Sequence, residues 1–335
     1  MEKLNLRLFF TPNTDAGSFE VNPVNVTTQT GTGKDMSPTM KVFYDTYLLE
    51  NARENMIFDQ FGDQQPIHGN SCEWRKFNTF DKATTPLTEG VIPTGKNFGM
   101  TKITVETNQY GDYTAISDRL ELESVDDVIM GATEEMGAAG AATYDILTRD
   151  VLFAGNSVAY AAASRSALNK SAVLTPTLVN KAATWLKKNN APKINGKYVA
   201  IIHPSVSFDL RESADWKDVH KYADVMPIFK GEIGELHGVR FIESNNAKVI
   251  DGNAITADKS AVYATLFLGA KAYGIVKPDG ESMEMIIKDR HTAGGPLDQF
   301  STIGYKFNHA AKILYQERML RIETGSSFGD VDEAN

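Results

Sequence analysis

Apolar positions recur at helical spacing over one unusually long stretch, Ser124 to Asn156, and the rest of the chain is organised around it. At about 100° per residue Val125, Val128, Ile129, Ala132, Met136, Ala139, Ile146, Leu147 and Ala154 share one stripe, with Asp127, Glu134 and Asp145 opposite. The pattern is imperfect near its end, where Asp150 enters the stripe and Leu152 leaves it. Ser124 followed by Asp127 predicts a capped start, and Gly155-Asn156 predicts the stop. Roughly 30 residues at about 1.5 Å each make a rod of some ~45 Å. Gly131, Gly137 and Gly140 each cost about 1 kcal/mol against alanine in a helix. Packing must therefore sustain the rod, and its small residues, Ala138, Ala139, Ala141 and Ala142 among them, leave room for another backbone.

Before the rod, residues 11–36 lack a helical period and predict an extended arm. Ser37-Pro38 predicts a helix start, with Met40, Phe43, Tyr44, Tyr47 and Leu48 on one side through about Asn55. Ser71 to Phe80 and Phe98 to Ile116 predict two strands, the second with Ile103 and Val105 alternating against Thr104 and Glu106. The connector Asp81–Asn97 is too long for a tight turn. A two-stranded ribbon is marginal alone, and no third strand is evident beside it, so the pattern favours a ribbon resting on a neighbouring molecule.

After the rod, Ala159 to Val173 predicts a surface link. Thr175-Pro176 then opens a helix ending at Asn189-Asn190, and the near-continuous apolar run from Lys197 to His203 predicts a buried strand. Pro204 to Glu212 predicts a helix, and Val239 to Ile242 and Met283 to Lys288 predict strands. Ala261 to Leu268 and Ala272 to Lys277 are further apolar stretches. Ser301 to Ile322 reads as extended segments, and Gly325 onward as a polar tail.

Composition narrows the functional classes. With 335 residues the chain can bury a large core, and a net charge of −9 argues against a dedicated nucleic-acid binder. One cysteine, Cys72, excludes an intrachain disulfide and fits a reducing compartment. No apolar run has the length of a membrane span, and the opening L-N-L-R-L-F-F is too short for a signal peptide, so the default address is cytoplasmic. Two catalytic motifs fail on context. Gly90 to Asn97 is one residue from a P-loop, but Asn97 lacks the magnesium-binding hydroxyl and strand, not helix, follows. Gly325 to Gly329 matches G-x-S-x-G without a helix after it. The six histidines, His68, His203, His220, His237, His291 and His309, show no ligand spacing, so neither a metal nor any cofactor is expected. His203, at a strand end, is expected to be structural, since nothing pairs it with a nucleophile or base.

Five separated motifs in order give a resemblance. D-Q-F-G at Asp59–Gly62, K-A-T-T-P-L-T-E-G-V at Lys82–Val91 and Q-Y-G-D-Y-T-A-I-S-D at Gln109–Asp118 precede the rod's T-R-D-V-L-F-A-G-N. G-E-I-G-E-L-H-G-V-R-F-I-E-S-N at Gly231–Asn245 follows. Together they resemble the major capsid proteins of tailed bacteriophages, in the branch typified by coliphage N-four. The resemblance implies an α+β chain with the Hong Kong 97-type capsid fold: an arm and first helix (1–62), an extended β-hairpin loop (63–107), a peripheral domain holding the long spine helix (108–170 and 285–335) and an axial domain (171–284).

It also implies a virion structural protein without catalysis, assembled in the host bacterial cytoplasm. Copies would form pentamers and hexamers in a closed icosahedral shell around double-stranded DNA, without sequence-specific binding, and acidic charge suits a wall that must release its genome. Scaffolding, portal and possibly decoration proteins would be its partners, and no membrane is involved. Charged positions on the loop (Arg75, Lys82, Glu89 and Lys96) and in the run Lys288–His291 (Asp289 and Arg290) are candidate assembly-interface residues. Some relatives cross-link through a loop lysine, for which Lys82 and Lys96 are available, with nothing further here to support that chemistry. The alternatives are a nanocompartment (encapsulin-like) shell and, less fitting, a soluble α/β enzyme or a tail protein.

Overall fold

The computed structural model describes residues 25–26, 57–67, 69–78, 80, 82–123, 128–213, 216, 232–251, 256, 260–278, 283–293, 297–328 and 334–335. The expected arm apart from Asn25 and Val26, the helix from Ser37 to Asn55 and the cap Ser124–Asp127 lie outside them.

In chain order, β1 (Asn25–Val26) is followed by a 3-10 turn (Phe58–Phe61), β2 (Asp63–Ile67), β3 (Ser71–Phe77), β4 (Met100–Glu106) and β5 (Asn108–Ser117). Then come α1 (Asp118–Glu123), the rod α2 (Val128–Phe153), β6 (Val158–Tyr160), α3 (Pro176–Lys188), β7 (Tyr198–Ile202) and α4 (Pro204–Glu212). The remainder is β8 (Glu232–Leu236), β9 (Val239–Glu243), β10 (Val249–Ile250), β11 (Val262–Leu268), β12 (Tyr273–Pro278), β13 (Glu284–Lys288), α5 (Arg290–Ala293), β14 (Phe300–Ile313) and β15 (Met319–Thr324).

Two sheets divide the body. The first runs β1-β5-β14-β12-β2, with β13 also on β14; the second runs β6-β15-β11-β7-β9-β8, with β10 on β11. Thus β12, within the segment expected for the axial domain, lies in the first sheet, while β6 and β15 lie in the second. The core joins them. The rod's cluster holds Ile275, Ile303, Tyr305 and Phe307 of the first sheet together with Val199, Ile201 and Leu266 of the second, whereas α3 and α4 cover the other face of the second sheet at Tyr198, Ala200, Phe241 and Phe267.

Local chemistry explains several boundaries. Thr175 Oγ1 accepts from the Leu178 amide at 3.4 Å and Pro176 takes the first helical position, starting α3 as expected. His203 caps α4, its Nδ1 accepting from the Ser205 amide at 3.3 Å, which gives that histidine a structural role. His237 and Gly238 turn β8 into β9 with φ of 54° and 77°, the left-handed pair that a two-residue hairpin needs.

Four expectations are corrected. The single strand expected from Phe98 to Ile116 is two, because the chain changes partners at Thr107, whose amide makes the last rung with the β3 side by donating to the Asn70 carbonyl at 2.9 Å. The chain then enters the first sheet as β5, paired along its length with β14. Ala159 to Val173 is a surface link only in part: Ala163, Ser164, Ser166, Lys170 and Ser171 are exposed, but β6 pairs with β15 and Leu168 is fully buried. Gly325 onward does not begin as a free tail, since buried Ser326 donates to the Ser205 carbonyl at 3.0 Å.

The rod, finally, buries a different face from its apolar stripe. Ile129, Ala132, Met136 and Leu147 are half-buried, while Gly137, Gly140, Ala141, Tyr144, Asp145, Thr148, Arg149 and Leu152 lie deepest. Small residues allow this rotation: a Cβ at Gly140 would stand 2.8 Å from Met283 Sδ and 3.2 Å from Tyr305.

Candidate assembly interface

Among the described residues, strands β3 and β4 pair only with each other, from Ser71 opposite Glu106 to Phe77 opposite Met100. Alternation gives this ribbon two faces. At its root Cys72, Trp74 and Val105 point inward and pack on Val276 and Ala310 of the first sheet. The root therefore rests on its own subunit, a correction to the expectation that the whole ribbon lies on a neighbour. Beyond the root the side chains leave the body. Phe77, Phe80 and Phe98 stack on one another, with centroids 4.8 Å (Phe77–Phe98) and 5.4 Å (Phe80–Phe98) apart, and all three are exposed. Leu87, Val91 and Met100 are exposed as well, and Ile92 is 93% exposed. Most of the large exposed apolar side chains of the described residues sit between Phe77 and Met100. Such a concentration on one projection is what an unfilled protein contact looks like.

The charged candidates divide between two places. Arg75 lies on β3 with its Nε 3.0 Å from Glu73 Oε1, and Lys102 Nζ meets the same carboxylate at 2.5 Å. Hydrogen bonds from Lys102 and Arg75 hold the Glu73 carboxyl below its usual range. Lys82, Glu89 and Lys96 are exposed along the irregular ribbon tip. Gly90 there has φ of 78°, and β4 follows at Met100, so no helix receives the P-loop-like run. Asp289 and Arg290 lie apart from the ribbon, at the start of α5: Asp289 Oδ1 accepts from the Thr292 amide at 3.0 Å, and Arg290 Nε is 3.9 Å from Glu121 Oε2.

A buried polar network fixes the segment from which the ribbon departs. Asp145 of the rod is fully buried, and its Oδ1 accepts from the amides of Ile57 (3.0 Å) and Phe58 (2.9 Å), capping the 3-10 turn. Its Oδ2 accepts from Asn246 Nδ2 at 3.4 Å. Burial outweighs these bonds and the nearby Arg149 charge, pushing the Asp145 carboxyl up to about 6. Asp59 in the turn pairs with Lys277 Nζ at 2.9 Å and accepts from Tyr144 at 3.4 Å, while the Tyr273 hydroxyl donates to the Phe58 carbonyl. His309 of β14 is buried against Tyr144, with Nε2 3.2 Å from Thr148 Oγ1, and burial lowers it to about 4.

At the far end of the rod, Arg321 donates to the Phe153 carbonyl. Glu323, fully buried, is held between Arg321 (3.1 Å) and Arg165. Among the described residues no group of three or more His, Cys, Asp or Glu could hold a metal ion, and no helix is long and apolar enough to cross a membrane.

Sequence reasoning missed the apolar tip and chose its charges. The available signal was the load of large apolar residues (Phe80, Leu87, Val91, Ile92, Phe98) in a stretch otherwise built of Thr, Pro, Gly and Lys. It also placed Asp145 on the solvent side of the rod, and only the 3-10 turn brought in from Ile57 reveals its role.

A family model described as phage capsid protein matches residues 101–332. No curated protein matches in sequence. The capsid of cyanophage P-SCSP1u is similar in structure with a TM-score of 0.62 at 16% identity, covering 98% of this chain and 100% of that one. The capsid of Ralstonia phage GP4 is similar with a TM-score of 0.65 at 13% identity, over 96% and 100% of the two chains. A virus-like particle from Pyrococcus furiosus is similar with a TM-score of 0.51 at 13% identity, over 86% and 100%.

Proposed function

This chain belongs to the phage capsid protein family, and from that premise we propose how its surface builds the shell. It is a structural virion protein with the Hong Kong 97-type capsid fold, a major capsid subunit of an icosahedral head, and it assembles with copies of itself. The ribbon of β3 and β4 is the strap of this assembly, laying Phe77, Phe80, Leu87, Val91, Ile92 and Phe98 on an adjacent copy. The observation that carries this is the exposed apolar tip, which has no partner surface within its own described subunit. Arg75, Lys82, Glu89 and Lys96 rim that tip and set the register of docking, because rim charges steer association more than they hold it. Asp289 and Arg290 form a second, smaller contact beside α5.

The peripheral domain is built on the first sheet and the rod, and the axial domain on the second sheet. Each contact is heterologous and closes by rotation into pentamers and hexamers. Straps add contact area without a larger body, and many weak contacts acting together hold the shell. Double-stranded DNA fills it without sequence-specific contacts, and portal, scaffolding and decoration proteins complete assembly in the host cytoplasm. The motifs quoted above favour the N-four-like branch. Packaged DNA, as opposed to a protein cargo, separates this reading from a nanocompartment.

Deleting residues 82–96 tests the strap. The expected result is a folded subunit, with an unchanged circular-dichroism melt, that forms no closed shells in negative-stain micrographs. Normal shells from the deletion would overturn the reading.

A further inference from the structure

The root of the ribbon is built as a clamp, and this deepens the strap reading on which it rests. Trp74 lies over Gly274 of β12 so closely that a Cβ there would stand 2.7 Å from Trp74 Cζ2 and 3.0 Å from Cε2. Leu314 Cδ1 closes the same space at 3.3 Å. The Trp74 Nε1 is buried with no hydrogen-bond partner among the described residues, so the ring is seated by fit alone. Further out on the same face of β3, the Tyr315 ring carries two cations: Lys76 Nζ 4.3 Å and Arg318 Cζ 3.8 Å from its centre. Lys76 also reaches Glu317 at 3.8 Å. From Phe77 outward the ribbon touches none of this; its described side chains are exposed up to Phe98.

We propose that the Trp74–Gly274 seat and the Lys76–Tyr315–Arg318 stack fix the angle of the ribbon before assembly, and so decide which shell geometry the subunit can enter. The ribbon is a lever held at one end. A methyl group at Gly274 must lift the indole by about 1 Å to reach ordinary contact. Over the two residues from Cys72 to Trp74, at about 3.3 Å each, that is a tilt of roughly 9°, which moves Phe77, five residues from the pivot, by about 2.5 Å and the tip by more. Identical straps that miss their seats by that much cannot all close the same rings. Trp74, Gly274, Lys76 and Tyr315 are thus positioning residues: they act through contacts within the subunit, and they set where the apolar tip arrives.

The experiment compares wild type, Gly274→Ala, Gly274→Ala with Trp74→Phe, and Lys76→Ala, each checked for a cooperative melt. Hydrogen exchange of Ser71–Phe77 and Met100–Glu106 is followed in dilute, unassembled subunits, and particle diameters are measured by electron microscopy. The wild-type ribbon should be protected in the free subunit. Gly274→Ala should lose that protection while β14 keeps its own, and should give particles of mixed diameter. Adding Trp74→Phe, whose smaller ring makes room for the new methyl group, should restore uniform shells. Lys76→Ala, on the surface, should broaden the diameters even if Gly274→Ala fails to fold. Ribbon amides that exchange freely in the wild-type subunit, or uniform wild-type diameters in both Gly274→Ala and Lys76→Ala, would overturn the proposal. Deletion of residues 82–96 separates the two levels: normal shells from it defeat the strap itself, whereas lost shells beside uniform particles from the root variants defeat only the clamp.

Discussion

Replacing Asp145 by Asn and His309 by Gln should tilt the pH dependence of subunit stability in opposite directions. Asp145 rises from an ordinary 3.8 to about 6 on folding, because burial penalises its charge. Between those values the native subunit holds a proton that the unfolded chain has released, so this group's contribution falls as pH rises. His309 drops from 6.5 to about 4, also through burial, with Asp59 and Lys277 as smaller influences. Between those values the unfolded chain is protonated and the native subunit is not, so this contribution grows as pH rises. Each slope is about 1.4 kcal/mol per pH unit. From pH 4 to 6 the two nearly cancel in the wild-type chain. Asp145→Asn leaves His309 alone, and stability should climb by about 1.4 kcal/mol per unit relative to wild type over that window. His309→Gln leaves Asp145 alone, and stability should fall with the same steepness.

Urea unfolding of unassembled subunits at pH 4, 5 and 6, followed by tryptophan fluorescence, measures both. Other carboxylates titrate alike in the two variants, so the quantity to read is the difference between their slopes, about 2.7 kcal/mol per pH unit. Two variants with the wild-type slope would refute the account of this buried pair.

Two further outcomes concern the rear of the rod. Glu323→Gln should destabilise the subunit by about 3–5 kcal/mol in thermal or urea unfolding, because it leaves the largely buried Arg321, and Arg165 beside it, without their shared carboxylate. Gly325→Ala should cost about 1–3 kcal/mol in the same measurement, since its Cβ would meet the Asn169 carbonyl oxygen, a backbone atom that cannot swing aside.

Patterns confined to a short window were legible. The apolar run at Tyr198–Ile202 needed no partner to be seen as a buried strand, and Thr175-Pro176 announces α3 by its own capping chemistry. Features created by distant residues were not. Asp145 looks like a solvent-side carboxylate until Ile57 and Phe58, 88 and 87 positions away, deliver their amides to it. The strand from Phe98 divides at Thr107 because β14 takes over from β3 as its partner, and Ser326 is drawn down by the Ser205 carbonyl, 121 positions earlier. The same limit hid the ribbon's footing. Nothing beside Trp74 in sequence foretells a glycine two hundred positions on, at Gly274, whose missing side chain leaves the space that the indole fills.

The chain crosses between the two sheets after β5, after β11 and after β14. On the ribosome, β5 must wait for β14, and β6 for β15, so neither layer is complete until residues 300–324 have been synthesised. Premature termination upstream leaves both layers unfinished at once. An interrupted product therefore lacks the platform on which its strap is mounted, and stalled translation is screened out of the growing head without a dedicated inspector.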